Sequence, residues 1–114
     1  MKNFKNALQK SSEDSEMIGF TTLPNPESAS LISETFVKEG LAACVQTGQK
    51  ISSIYIWEGK LQKEDEIPLV VKFLQSKEAA LFKRLTELHP YECPEWLSIK
   101  AQSVASAYAK WMRT

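Results

Sequence analysis

A single histidine, two cysteines and a lysine set in an apolar run are the residues of this chain best suited to chemistry. His89 is the only histidine. Neutral imidazole is the commonest protein ligand for copper and zinc. One imidazole does not make a site alone, and His89-Pro90 also reads as a helix end, where an imidazolium suits the helix dipole. Cys93 follows His89 by four residues. On a helix that spacing makes a ligand pair, but Pro90 and Pro94 exclude a helix there. Cys44 lies between Ala43 and Val45 and reads as a buried structural thiol. Lys72 stands among Val70, Val71 and Phe73, where an ammonium is costly unless it is paired or reaches a cleft. It reads either as an anion-binding lysine at a subunit boundary or as half of a salt bridge with Glu58 or Glu95. Tyr91 and Trp57 are candidates to wall the same cleft.

No nucleophile elbow, phosphate loop, zinc-finger cysteine pair or HExxH motif occurs, so no catalytic residue is expected and the chain does not read as an enzyme. Fourteen basic residues balance fourteen acidic ones, for a formal net charge of zero. That balance excludes a sequence-independent nucleic-acid binder and weakens the repulsion that opposes self-association. With 114 residues, 43% of them apolar, the chain has the size and composition of one globular domain. Two cysteines are too few for a disulfide framework and read as free thiols. There is no signal-peptide pattern, and no run approaches the roughly 18 apolar residues of a membrane span. The cytoplasm is the expected location, with no membrane partner.

Residues 1–15 read as a polar, disordered tail, and 16–114 as the folded domain. Glu16 to Thr22 is a short strand closed by Leu23-Pro24. Asn25 and Pro26 open a helix over 26–39 that carries Ala29, Ile32 and Phe36 on one face and stops at Gly40. A strand starts at Leu41, loosens at Gly48 and resumes over Ile51–Trp57. Glu58-Gly59-Lys60 is a turn. Leu61 to Glu66 reads as polar and acidic, followed by a strand over 67–74, with Pro68 at an edge or bulge. Ser76 is expected to cap a second helix bearing Leu81, Leu85 and Leu88. An irregular loop at 89–95 leads to a strand over 96–101. Ser103 is expected to cap a last helix with Val104, Tyr108 and Trp111 on one face. The order β-α-β, β-α-β, α points to an α+β, ferredoxin-like βαββαβ sandwich with an extra C-terminal helix. Its helices cover one sheet face and leave the other bare, which argues for an oligomer.

Several segments, in order, resemble the CutA family. They are Thr21-Thr22-Leu23-Pro24, Glu39-Gly40-Leu41-Ala42-Ala43-Cys44-Val45, Tyr55-Ile56-Trp57-Glu58-Gly59-Lys60 and Val70-Val71-Lys72. Glu87 to Glu95 and Tyr108-Ala109-Lys110-Trp111 complete the set. The resemblance implies a homotrimer, divalent-cation tolerance with copper foremost, no obligatory cofactor and no established catalysis. It implies a copper ligand set of a cysteine closing the first strand and two histidines before Pro-Tyr. Here those positions hold Thr21, Leu88 and His89, so only His89 matches. It also implies a metal contact at Glu95, with Glu92 as a lesser candidate. The metal candidates are therefore His89 and Glu95, and the cleft candidates Lys72, Tyr91 and Trp57. The trimer is similar to that of the PII signalling proteins, so a small anionic ligand between subunits is the alternative to a metal ion. A structural scaffold is the third reading.

Overall fold

The computed structural model describes residues 14–114 in full and the backbone of residues 8–10. Strand β2 (Glu16–Leu23) is followed by helix α1 (Pro26–Lys38). The Asn25 side chain caps α1 by accepting the Ser28 N–H at 2.8 Å, with Pro26 in the first turn. At the other end Gly40 takes φ +70°. Its N–H reaches the Val37 carbonyl, and the Leu41 N–H reaches that of Phe36. This closure needs a left-handed residue, and glycine adopts one without steric cost.

Strands β3 (Cys44–Thr47) and β4 (Ile51–Trp57) run one after the other along a single partner, β5 (Lys60–Leu74). The expected break between a polar 61–66 stretch and a strand at 67 is absent, because the 15-residue β5 pairs along its whole length. Pro68 sits at the bulge foreseen for it. Gly48–Lys50 bridge the step from the Thr47–Leu69 pair to the Ile51–Glu66 pair, and Gly48 donates to the Pro68 carbonyl at 2.9 Å.

A 3-10 turn (Gln75–Lys77) leads into α2 (Glu78–Leu88). Ser76 does not cap α2. Its backbone N–H and hydroxyl both donate to the Asp14 carboxylate, at 2.8 and 2.7 Å. After the 89–96 loop come β6 (Leu97–Lys100), β7 (Ser103–Ala105) and α3 (Ser106–Met112). Ser103 is no cap either: β7 pairs antiparallel with β1 (Leu8–Lys10), which supplies the partner its backbone requires. The expected tail is shortened accordingly. Residues 8–10 form a strand, and Ser15 is buried and accepts from the Gln75 N–H. Residues 1–7 and 11–13 of that tail lie outside the described residues.

The main sheet is antiparallel in the order β3-β5-β2-β6, the ferredoxin-like arrangement foreseen. Alternation sends Met17, Leu23, Ile67, Leu69, Val71 and Phe73 to the helices, where they pack with Ala29, Ile32, Phe36, Leu81 and Leu85. The same register places Ile18, Phe20, Cys44, Val70 and Lys72 on the uncovered face, beside Leu97 and Ile99, 65% and 54% exposed. Cys44 is thus half-buried on the open face, not sealed in the core. On α3, Ala109 and Met112 are the buried residues, while Tyr108 and Trp111 are exposed and stack on each other at 5.4 Å. The expected Val104–Tyr108–Trp111 face is therefore not the buried one.

Beyond the sheet, β4 and β5 continue as a two-stranded ribbon, and the long axis of the molecule is 59 Å against 25 and 23 Å. The ribbon turns at Glu58 and Gly59, both at positive φ (53° and 78°). Two such residues match the right-handed twist of a two-residue hairpin. One ribbon face carries Ile54, Ile56 and Leu61, 64%, 64% and 72% exposed. The other carries Tyr55, Trp57, Gln62 and Glu64.

Candidate functional site

The polar ribbon face runs down to the end of β2, where the 89–95 loop closes over it. His89 holds that loop. Its backbone ends α2 by donating to the Leu85 carbonyl at 2.8 Å, and its ring is 7% exposed. Nδ1 accepts the Tyr91 N–H at 3.1 Å. Nδ1 therefore carries no proton, and Nε2–H donates to the Thr22 carbonyl at 2.8 Å. Burial lowers the His89 pKa, against smaller opposing effects of the Thr22 carbonyl and Glu66. The ring is a neutral clasp between the loop and the last turn of β2.

Thr22 also donates its hydroxyl to Glu66 at 3.0 Å. Glu66 is 7% exposed and forms the floor of a cleft of about 590 Å³. Tyr55, Trp57, Gln62 and Glu64 of the ribbon form one wall, and Pro90 to Glu95 form the other. Loss of hydration, followed by its hydrogen bond to Glu66, pushes the Tyr91 phenol far above its usual range. Tyr55 is raised first by its hydrogen bond to Glu64. Both phenols are neutral donors that hold carboxylates in place. Glu95 is raised by partial shielding from water and then by the Glu66 charge. Four glutamates line this cleft, with no lysine, arginine or histidine among its lining residues.

The structure brings together Trp57, Tyr91 and Glu95 and leaves out Lys72. That lysine lies on the open sheet face, its Nζ 5.6 Å from the Tyr108 ring, beside a smaller cavity of about 150 Å³. An anion in this cleft would therefore lack the lysine expected for it, since the charged residues of the lining are all carboxylates. The copper pattern fits poorly too. Thr21 is 1% exposed and faces the helices, Leu88 packs against the core, and both His89 nitrogens are engaged. Among the described residues, no three His, Cys, Asp or Glu side chains gather closely enough to hold an ion directly. Cys93 is an exposed free thiol on the cleft rim. Sequence reasoning missed Tyr55, Glu64 and Glu66. Their signal was alternation: Gln62, Glu64 and Glu66 share one strand face opposite Tyr55 and Trp57, legible only once 60–66 is taken as strand.

Residues 17–114 match the family of the CutA1 divalent ion tolerance protein. The Protein CutA homolog of Xenopus laevis is 38% identical over 82% of this chain, which spans 62% of that protein. The chloroplastic Protein CutA of Arabidopsis thaliana is 32% identical over 85% of the chain, which spans 53% of it. The chain thus covers little more than half the length of these two relatives. It covers 93% of the divalent-cation tolerance protein CutA of Pyrococcus horikoshii, at 34% identity over 84% of its own length. The structure of CutA from Synechococcus elongatus superposes with a TM-score of 0.90 at 29% identity, covering 97% of this chain and 96% of that one. The divalent cation tolerance protein of Thermus thermophilus gives 0.83 at 33% identity, covering 85% and 94%. None of these five carries an enzyme's name. Among the described residues no helix is long and apolar enough to cross a membrane. The chain belongs to the CutA1 divalent ion tolerance protein family.

Proposed function

We propose that the chain works as a homotrimer that retains divalent cations, with their hydration water, in the acidic cleft above Glu66. The observation that carries this reading is the lining: Glu64, Glu66, Glu92 and Glu95, with no basic side chain among the lining residues. Hard divalent cations prefer oxygen ligands, and those that dehydrate reluctantly are held through water by one or two carboxylates. Such a site needs no inner cage of three ligands. It favours ions such as manganese over the thiolate- and imidazole-bound copper site for which Thr21 and Leu88 are unsuited.

Manganese titration followed by electron paramagnetic resonance tests the site. Glu66→Gln and Glu95→Gln should each weaken binding about five- to tenfold, the loss of one charge near a divalent ion. Binding should fade with acid as carboxylates protonate, beginning at a higher pH than for an ordinary glutamate because Glu95 is raised. Affinity indifferent to both substitutions would remove the cleft from the function.

The trimer reading is supported by the apolar surface left uncovered. Burying Ile54, Ile56, Leu61, Leu97 and Ile99 is worth about 1.5–3 kcal/mol for each side chain fully covered. Light scattering at micromolar concentration should give about three times the 12.9 kDa chain mass. A mass of one chain would leave those side chains in water and overturn the assembly.

A further inference from the structure

The cleft is much larger than a cation and its first hydration shell require. Its volume is about 590 Å³, whereas an ion with six waters fills about 200 Å³, taking about 30 Å³ per water. The excess is not lined for water. Trp57, Tyr55, Tyr91, Pro90 and Pro94 supply aromatic and aliphatic wall, from which an inorganic ion gains nothing. The carboxylates stand on two sides, Glu64 and Glu66 on β5 and Glu92 and Glu95 on the loop. Glu66 is already committed to the Thr22 hydroxyl and to Tyr91, and Glu64 to Tyr55. These two set the negative field, while Glu92 and Glu95 face it from the opposite wall.

We infer that this cleft binds a small organic dication of the aliphatic diamine class. Its ammonium groups meet the carboxylates of the two walls, and its methylenes lie against Trp57 and Tyr55. The inference rests on the cation-binding reading of the same cleft and adds what the aromatic walls are for. An ammonium beside an aromatic face is attracted by the negative ring quadrupole, and tryptophan is the strongest such face. Methylenes leaving water for that wall add apolar burial at about 0.8 kcal/mol for each CH₂ fully covered. Pockets of this size, largely apolar with a few convergent polar groups, are the usual form of small-molecule sites.

Calorimetry on the full chain, with 1,4-diaminobutane, its neutral analogue 1,4-butanediol and manganese(II) as probes, tests the inference. The diamine should bind and the diol should not. The diamine should compete with manganese and weaken as salt is raised. Trp57→Leu and Tyr55→Leu should weaken the diamine about fivefold or more, and by a larger factor than they weaken manganese, which gains nothing from an aromatic face. Scattering of each variant shows whether the assembly is intact. If Trp57→Leu alters it, the exposed Tyr55→Leu carries the test. Manganese binding without diamine binding overturns the organic-cation inference and leaves the metal reading standing. Diamine binding without manganese binding does the reverse. A diamine affinity unchanged in both aromatic variants, or a cleft closed to it by a side chain of a neighbouring copy, also overturns the inference.

Discussion

A Gly19→Val variant is expected to be less stable than the wild-type protein by about 2–6 kcal/mol. Gly19 lies in the middle of β2, between Val71 and Ser98, and the Trp96 indole fills the space a side chain would take. A Cβ built there overlaps the ring at three carbon atoms. Trp96 is held from two more sides. Its Nε1–H donates to Glu78 at 3.0 Å, and its ring stands 5.6 Å from Phe73. A valine must expel the indole. Overpacking costs about 1–3 kcal/mol, and stranding the Nε1–H and Glu78 adds about 1–3 kcal/mol. Urea denaturation measures the sum. A loss below about 1 kcal/mol would mean that the ring moves aside freely and that the close approach has no structural role. Gly40→Ala is the useful contrast. It has φ +70° and open space around it, so its cost is conformational only, about 1 kcal/mol.

His89→Ala should cost about 2–4 kcal/mol, because it strands the Thr22 carbonyl and the Tyr91 N–H together. The wild-type ring also imposes a pH dependence. Its folded pKa lies below the unfolded value of about 6.5, so the unfolded chain binds the proton more readily. Stability due to His89 is therefore fully present above about pH 6.5 and is lost as pH falls toward the folded pKa. Glu95 has the opposite sign, since a raised carboxyl contributes stability that is lost as pH rises through its folded value. The imidazole contribution is the difference between the melting curves of wild type and His89→Gln from pH 7.5 to 5. The wild type should lose melting temperature faster on acidification. Parallel curves would mean that the ring protonates as easily folded as unfolded.

The elements positioned by the core were legible from pattern. Ala29, Ile32 and Phe36 mark α1, and Asn25-Pro26 and Gly40 mark its ends, because caps and helical spacing are local properties. The alternating apolar residues of β2 and the end of β5 were legible for the same reason. What escaped was set by partners distant in sequence. Lys60–Glu66 is strand because β4 lies beside it, although its own composition is polar. Ser103–Ala105 is strand because β1 pairs with it. Ser76 is a hydrogen-bond donor to Asp14, a residue 62 positions away, and no spacing rule reaches that far. The site divided in the same manner. Trp57, Tyr91 and Glu95 were named and do share the cleft. Lys72 lies on the open sheet face instead, and two of the four cleft glutamates, Glu64 and Glu66, sit on the stretch read as polar and acidic and not as strand.

The ribbon has a consequence for the order in which the chain acquires structure. Its strands are joined by a two-residue turn, and pairing of this kind forms in about 1–10 μs. The β2–β5 and β2–β6 pairs must close loops of some 45 to 80 residues and come later. From the ribbon's formation on, Ile54, Ile56 and Leu61 are displayed on one face of the hairpin, and they remain 64%, 64% and 72% exposed when the chain has folded. Lys63 and Asp65 share that face. Charges at such positions hinder edge-to-edge stacking of half-folded ribbons. In the trimer proposed above, these five residues serve two successive stages, the charged pair keeping early hairpins apart and the apolar three being covered where subunits meet.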